Sequence, residues 1–200
     1  MTGTDVDVID TLVGIAPGSP LDAIRARRPE ARTHAQATYR ALFAPDAPAN
    51  VTAQERFAVA AFVVGLHGDT AAAAFYAERL AATGAQAALR EAVDAAVAEA
   101  KGHGPYGNYP AGPLSREDTA GPVHRVGAPT RRALGPRLAA AFEHVHMLVF
   151  HPRDAAPAAL QTLLDAGWST TDVVTLSQIV AFLSFQIRVV TGLRTLAGRA

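Results

Sequence analysis

The side chains best suited to metal chemistry form a Glu-x-x-His pattern, at Glu143 and His146. Residues three positions apart share one face of a helix, and di-iron helical bundles bind metal through this pattern. Such a centre needs a second copy and two further glutamates, and the chain contains no second copy. His146 flanks the apolar stripe predicted over 134–149, whereas Glu143 and His144 turn to opposite polar sides. We therefore expect no bound metal, and we expect His151, just beyond the helix, to be a turn residue.

A second acidic candidate, Glu55, follows Thr52 by three positions just before an apolar run. This is the capping-box spacing, in which the glutamate carboxylate accepts a hydrogen bond from a backbone amide at the helix N-terminus. Glutamate is also a common proton-transfer group in enzymes. A structural cap and a catalytic role are both open for Glu55.

Two polar residues, Gln186 and Arg188, interrupt an apolar segment near the end of the chain. A buried arginine normally needs a carboxylate partner, because an unpaired charge is costly to remove from water. We expect Arg188 either to form a structural or interface ion pair or to hold an anionic substrate.

The chain contains no cysteine. It therefore forms no disulfide and has no thiolate metal ligand and no thiol nucleophile. Any reaction at this protein must use other groups.

Composition indicates one folded domain over 1–200. The 200 residues are 50% hydrophobic and 18% charged, and a chain of this size buries about 70% of its unfolded surface.

Lys+Arg and Asp+Glu both number 18, without the basic stripe typical of nucleic-acid or membrane-surface binding. The start of the chain, 1–5, is acidic where a signal peptide is positive, and no apolar run approaches the ~20 residues that span a bilayer. We expect a cytoplasmic protein with no nucleic-acid or membrane partner.

Ala-rich stretches with helical periodicity recur and strand signals are nearly absent, so an all-α fold is predicted. Capping boxes at Thr52 and Ser169 start two helices, and Gly135-Pro136 divides another. The apolar run from Phe57 to Leu66 has no polar face, which predicts a helix at the centre of the fold. Predicted helices cover 6–15, 20–27, 29–43, 52–66, 70–83, 85–101, 130–150, 155–166 and 169–196, and the segment from Pro45 to Pro48 ends the third.

The segment 102–129 lacks periodicity and contains most of the glycines and prolines between two helices. Irregular segments of this length are uncommon in compact domains. Its aromatic side chains, Tyr106 and Tyr109, together with His103, suit either an aromatic lid or an oligomer contact.

Three segments resemble the carboxymuconolactone decarboxylase and alkylhydroperoxidase D-like superfamily, of the peroxidase-related type. They are TAQERFAV at 52–59, LLDAGWSTTDVV at 163–174 and AFLSFQIR at 181–188. Relatives open a helix with Glu before an apolar run, and they later have an LxxxGxS turn leading into a helix with an aromatic-polar-Arg tail. The resemblance covers roughly 49–196 and implies an alkylhydroperoxidase D-like helical bundle that forms homo-oligomers.

Redox-active relatives have a Cys-x-x-Cys twelve residues after that Glu, with a His four residues beyond the second Cys. Counted from Glu55, the two Cys positions fall on His67 and Thr70, and the His position falls on Ala74. Neither imidazole nor hydroxyl replaces a low-pKa thiolate in attack on a peroxide. The resemblance therefore implies no thiol peroxidase activity for this chain.

What the resemblance implies is acid–base chemistry on a small carboxylated or lactone-like molecule, without a cofactor. Glu55 and His67 would move protons beside one pocket, and Arg188 and Thr70 would contact the substrate. The alternatives are structural: a helix cap for Glu55, a contact with helix-terminal carbonyls for His67 and a capping role for Thr70. A non-catalytic accessory member of the family is a second functional hypothesis, and a metal-dependent oxidoreductase that uses the histidines is a third.

Overall fold

The computed structural model describes residues 6–47 and 50–198. The acidic start of the chain at 1–5 and Pro48, at the predicted end of the third helix, lie outside these residues. The described residues form nine α-helices: α1 (Val8–Val13), α2 (Pro20–Ala26), α3 (Pro29–Phe43), α4 (Ala53–His67), α5 (Thr70–Ala82), α6 (Ala87–Ala100), α7 (Ala128–Phe150), α8 (Pro157–Asp165) and α9 (Thr170–Ala197).

The all-α prediction is confirmed. The described part of the chain has no β-strand, only an isolated bridge between Gly107 and Thr119. Short 3₁₀ segments occur at Pro113–Glu117 and Pro152–Asp154. The helix bounds agree with the predicted ones to within two residues at each end.

Helix α4 lies at the centre and packs against α5, α6, α7 and α9. Its run from Phe57 to Leu66 is almost entirely buried, as its lack of a polar face predicts. Gly65 allows close approach to α6, because a Cβ there would meet the Val97 side chain at 2.6 Å. This central helix determines where its two ends, Glu55 and His67, meet the rest of the fold.

Helix α7 is divided as the Gly135-Pro136 pair predicts. Gly135 has φ 76° and ψ 164°, a conformation that L side chains rarely adopt, and Pro136 has no amide to continue the helical hydrogen bonds. The kink directs Arg137, the next residue, towards the N-termini of α4 and α9.

The long loop between α6 and α7 packs on the C-terminal end of α7. The Tyr106 amide donates to the Phe150 carbonyl over 2.6 Å, and the Asn108 amide donates to Asp154 Oδ1 over 3.0 Å. The Arg153 guanidinium lies 3.9 Å from the centre of the Tyr109 ring. The loop therefore forms one wall over residues 150–154.

Helix α9 is long and apolar enough to cross a membrane by length and composition alone. In the structure its buried positions pack against α1, α3, α4 and α7. Large apolar side chains, including Val174 and Phe185, remain exposed on it.

Candidate functional site

Glu55 forms the predicted capping box at the start of α4. Its Oε2 accepts the Thr52 amide over 2.8 Å, and the Glu55 amide donates to Thr52 Oγ1 over 3.1 Å. The other carboxylate oxygen, Oε1, accepts from Arg137 Nε over 2.7 Å. Both oxygens of this carboxylate therefore have protein partners.

Arg137 joins the N-termini of α4 and α9. It lies between Glu55 and the buried Asp172, at 3.5 Å from Asp172 Oδ2, and it also donates to the Gly167 carbonyl. Asp172 accepts the Ser169 amide over 2.9 Å and completes the capping box of α9. The Arg137 guanidinium lies 3.8 Å from the centre of the Trp168 ring, a cation–π contact. This cluster unites two of the three segments on which the family resemblance depends.

His67, at the other end of α4, lies beside the middle of α9. Its Nε2 is 3.2 Å from Ser184 Oγ. Burial lowers the pKa of His67, and the nearby positive charge of Arg188 lowers it further. The structure therefore brings His67 and Arg188 together.

Glu55 is not part of this pair. Twelve residues of helix at 1.5 Å per residue separate Glu55 from His67 by roughly 18 Å. Thr70 lies close to His67 in sequence as the first residue of α5, where Asp69 is the N-cap and accepts the Ala72 amide over 2.8 Å. The four predicted site residues thus fall into two groups at opposite ends of α4.

Arg188 is not buried and has no carboxylate partner among the described residues, whereas an interface ion pair and a substrate contact stay predictions. Arg188 is exposed and donates to the Ser184 carbonyl of its own helix over 2.8 Å. Gln186, by contrast, is fully buried and accepts from the Tyr76 hydroxyl over 2.8 Å. Two positions along a helix differ by about 200°, so the two residues lie on opposite faces of α9.

A cavity of about 380 Å³ lies between α7, α8 and the loop residues 121–125. Three imidazoles line it, from His124, His144 and His151. A fourth, from His146, lies beside it, with its ring centre 4.9 Å from that of His124 and 6.2 Å from that of His151. We call these four residues the histidine cluster.

One sequence-based expectation fails here, because His144 is buried where the periodicity predicted a polar side. His151 lies in the turn after α7 as expected, and its side chain is buried there. The reason is that α8 and the loop cover the face of α7 that would be polar in an isolated helix.

His151 and Asp154 form a carboxylate–imidazole pair. The two side chains meet at 3.1 Å through His151 Nδ1 and Asp154 Oδ2. The backbone amide of Asn108 lowers the pKa of Asp154, with a smaller contribution from His151, so the carboxylate is ionised and can only accept. In the neutral ring Nδ1 therefore carries the proton, and Nε2 is a lone-pair acceptor. That Nε2 is buried and has no hydrogen-bond partner among the described residues.

The lowered pKa values of His124, His144 and His146 keep these three imidazoles neutral at pH 7. Burial is the main cause that lowers the pKa of His124 and of His144. Burial, with smaller contributions from His124 and His151, lowers the pKa of His146 to about 4. His124 Nε2, His144 Nδ1 and His146 Nδ1 are also buried without partners in the described part of the chain. Unpaired buried nitrogens are unusual in folded proteins and indicate a place for a ligand or water.

The rim of the cavity carries the glutamate of the Glu-x-x-His pattern. Glu143 accepts from Arg125 Nη1 over 3.0 Å, from the Val126 amide over 3.0 Å and from Arg131. Its carboxylate therefore accepts from two arginines and a backbone amide. It does not form a metal-ligand pair with His146. Within residues 6–47 and 50–198, no group of three His, Asp or Glu side chains is placed to hold a metal ion.

The sequence did not predict His124 or Asp154 as members of this site. His124 lies in the irregular loop, where no periodicity predicts the direction of a side chain. The spacing of His151 and Asp154 across a Pro-Arg turn was the only local signal for the pair.

Comparison of the chain with family models, with curated proteins and with solved structures gives no match. The class of protein is therefore defined by the fold and the site: an all-α protein with a cysteine-free, histidine-lined cavity.

Proposed function

We propose that this protein performs acid–base chemistry on a small carboxylated or lactone-like molecule in the histidine-lined cavity. His151 is the general base, oriented by Asp154, and His124 and His144 contact the substrate. The observation that carries the proposal is the buried, unpartnered Nε2 of His151, on a ring whose other nitrogen is held by a carboxylate. This arrangement orients the imidazole and, in the neutral ring, keeps the proton on Nδ1 so that Nε2 can accept one.

The size and lining of the cavity support a small substrate. A volume of about 380 Å³ lies at the low end of ligand pockets, and alanines and Met147 line its apolar part. At the rim, Arg125 and Arg131 share the single carboxylate of Glu143. Arg125 lines the cavity and 70% of its side chain is exposed, so it can contact an anionic group on the substrate.

We propose further that the chain is a cysteine-free member of the carboxymuconolactone decarboxylase and alkylhydroperoxidase D-like superfamily with that helical bundle. The motifs at 52–59, 163–174 and 181–188 support this assignment. In this proposal the acid–base chemistry takes place in the histidine-lined cavity and not at Glu55, the position that matches the glutamate of the family. The cytoplasmic location and the homo-oligomer stay predictions.

The alternative of a non-catalytic accessory member is favoured by the environment of Glu55. One carboxylate oxygen completes the capping box and the other accepts from Arg137. The position that matches the glutamate of the family therefore has a structural role. In that case the fold would be kept and the histidine cavity would bind a ligand without turnover. The metal-dependent oxidoreductase has less support, since the described histidines and carboxylates form no three-residue metal group.

The test starts with a thermal-shift screen of short-chain carboxylates and lactones, followed by turnover of each hit by NMR. His151→Gln removes the proposed base and should lower turnover by about 100-fold or more, the usual contribution of general acid–base catalysis. Asp154→Asn should lower it as well, because the amide no longer selects the reactive tautomer. His34→Gln, an exposed histidine on α3, is the matched control. Ligand binding without turnover in the wild type would favour the accessory alternative, and turnover unaffected by His151→Gln would refute the proposed site.

A further inference from the structure

A second cavity, of about 530 Å³, lies between α1, α3, α4 and α5. Four aromatic rings form its wall, and neighbouring rings are in contact: centroids are 5.2 Å apart for Tyr39 and Phe43, 5.0 Å for Phe43 and Phe57, and 6.4 Å for Tyr39 and Phe75. We call this cavity the aromatic cleft. A continuous wall of aromatic rings suits a flat apolar ligand, which can stack on it or meet it edge to face.

Two polar groups are directed to the same cleft. The Arg79 guanidinium lies 4.9 Å from the centre of the Phe75 ring, and its charge acts on the Tyr39 phenol. Within residues 6–47 and 50–198, Arg79 has no carboxylate partner and the Tyr39 hydroxyl has no hydrogen-bond partner. By contrast, Arg25, Arg32 and Arg194, which also cross between helices, are each paired with an aspartate.

From these contacts we infer that the aromatic cleft is a binding site for a small aromatic carboxylate. The ring lies against Phe43 and Phe75, and the carboxylate accepts from Arg79 and from the Tyr39 hydroxyl. The uncompensated charge of Arg79 selects an anion, and the arrangement of few polar groups beside a mostly apolar wall is that of small-molecule pockets. The site is separate from the histidine cluster and does not depend on the function proposed for it.

The probe is phenylacetate, with phenylacetamide as its uncharged analogue of similar shape. Binding is measured by saturation-transfer NMR and titration calorimetry on the full chain. Phenylacetate should bind saturably, with magnetisation transfer from the Tyr39 and Phe75 ring protons, and phenylacetamide should bind about tenfold more weakly, as expected for loss of a charge-assisted hydrogen bond.

Arg79→Gln should weaken phenylacetate binding by about tenfold and leave phenylacetamide binding unchanged. Arg90→Gln is the matched control, because Arg90 is also exposed on a helix but lines a different cavity. Tyr39→Phe should weaken binding by a smaller factor, and His151→Gln should not change it. Thermal unfolding of each variant verifies that it is folded.

Three results with the wild type and the arginine variants would overturn the inference. They are no saturable binding of phenylacetate to the wild type, equal affinity for phenylacetate and phenylacetamide, and equal weakening by Arg79→Gln and Arg90→Gln. If His151→Gln were the only variant to lose phenylacetate binding, the ligand would be assigned to the histidine-lined cavity. That result would also refute binding in the aromatic cleft.

Discussion

Arg137 donates its Nε–H to Glu55 Oε1 over 2.7 Å, between residues 82 positions apart in the sequence. This bond ties the kinked middle of α7 to the first turn of the central helix. Since the same guanidinium reaches Asp172 and stacks on Trp168, one side chain fixes the relative position of α4, α7 and α9.

Replacing Arg137 should therefore destabilise the fold. Arg137→Ala leaves the Asp172 carboxylate, only 5% exposed, without its cationic partner and removes the packing on Trp168. We expect a loss of about 2–3 kcal/mol in the free energy of unfolding, measured by urea denaturation. Arg132→Ala, at an exposed position of the same helix, should cost less than about 0.5 kcal/mol. Equal effects of the two substitutions would show that the Arg137 cluster is not a stabilising contact.

Glu55→Gln distinguishes a catalytic role of Glu55 from a catalytic role of the histidine-lined cavity. Glutamine can still complete the capping box, but it pairs less strongly with Arg137, so we expect a loss of about 1 kcal/mol. Any turnover found in the histidine cavity should be retained within about threefold, because Glu55 only positions helices. A loss of turnover comparable to that of His151→Gln, in a folded variant, would return Glu55 to the catalytic role implied by the family resemblance.

Gly121 should not tolerate a side chain. A Cβ at this position would lie 2.5 Å from His151 Cγ, so Gly121→Ala must displace the imidazole or the loop. We expect a loss of about 1–3 kcal/mol in stability, together with reduced turnover. Gly112→Ala lies in the same loop, where the nearest atom to the new Cβ is 3.8 Å away, and it should be neutral. Crystal structures of both variants would reveal whether His151 has moved.

The histidine cluster should make the fold sensitive to mild acid. In the unfolded chain His146 titrates near 6.5, and in the folded chain its pKa is about 4. Between these values the unfolded state binds more protons, so stability is fully present above about pH 6.5 and falls as the pH is lowered towards 4. The lowered pKa values of His124 and His144 act in the same direction.

His146→Phe keeps a ring beside Phe150 but cannot be protonated. We expect it to reduce the loss of stability between pH 7 and pH 4.5 by about 2 kcal/mol, measured by urea denaturation at a series of pH values. His34→Gln, which removes an exposed imidazole, should leave the pH dependence unchanged. An identical acid dependence of the wild type and His146→Phe would contradict the low pKa.

The predicted homo-oligomer should use the exposed apolar face of α9. Phe185 is 46% exposed beside a groove formed with α3, and Val174 is exposed on the same face. Light scattering after size exclusion should give a multiple of 20.8 kDa for the wild type, and Phe185→Ser should shift it towards the monomer. Leu114→Ser removes a similarly exposed side chain outside α9 and should not. A monomeric wild type at micromolar concentration would refute the oligomer.

Local chemistry allowed much of the fold to be predicted from the sequence. Thr52 and Ser169 begin their helices as capping boxes because the partner carboxylate is only three residues away. Gly135-Pro136 divides α7 through the backbone restrictions of those two residues. The absence of cysteine excludes thiol chemistry whatever the fold.

Contacts between distant segments decided the site, and periodicity carries no information about them. The partner of Glu55 is Arg137, because the kink in α7 brings Arg137 to the start of α4. Arg188 is exposed since it lies on the opposite face of α9 from Gln186, and an apolar sequence around a helix does not indicate which face will be covered. The histidine cavity exists only because an irregular loop and a separate helix close over α7, and burial in that closed space is what lowers the pKa values of its imidazoles.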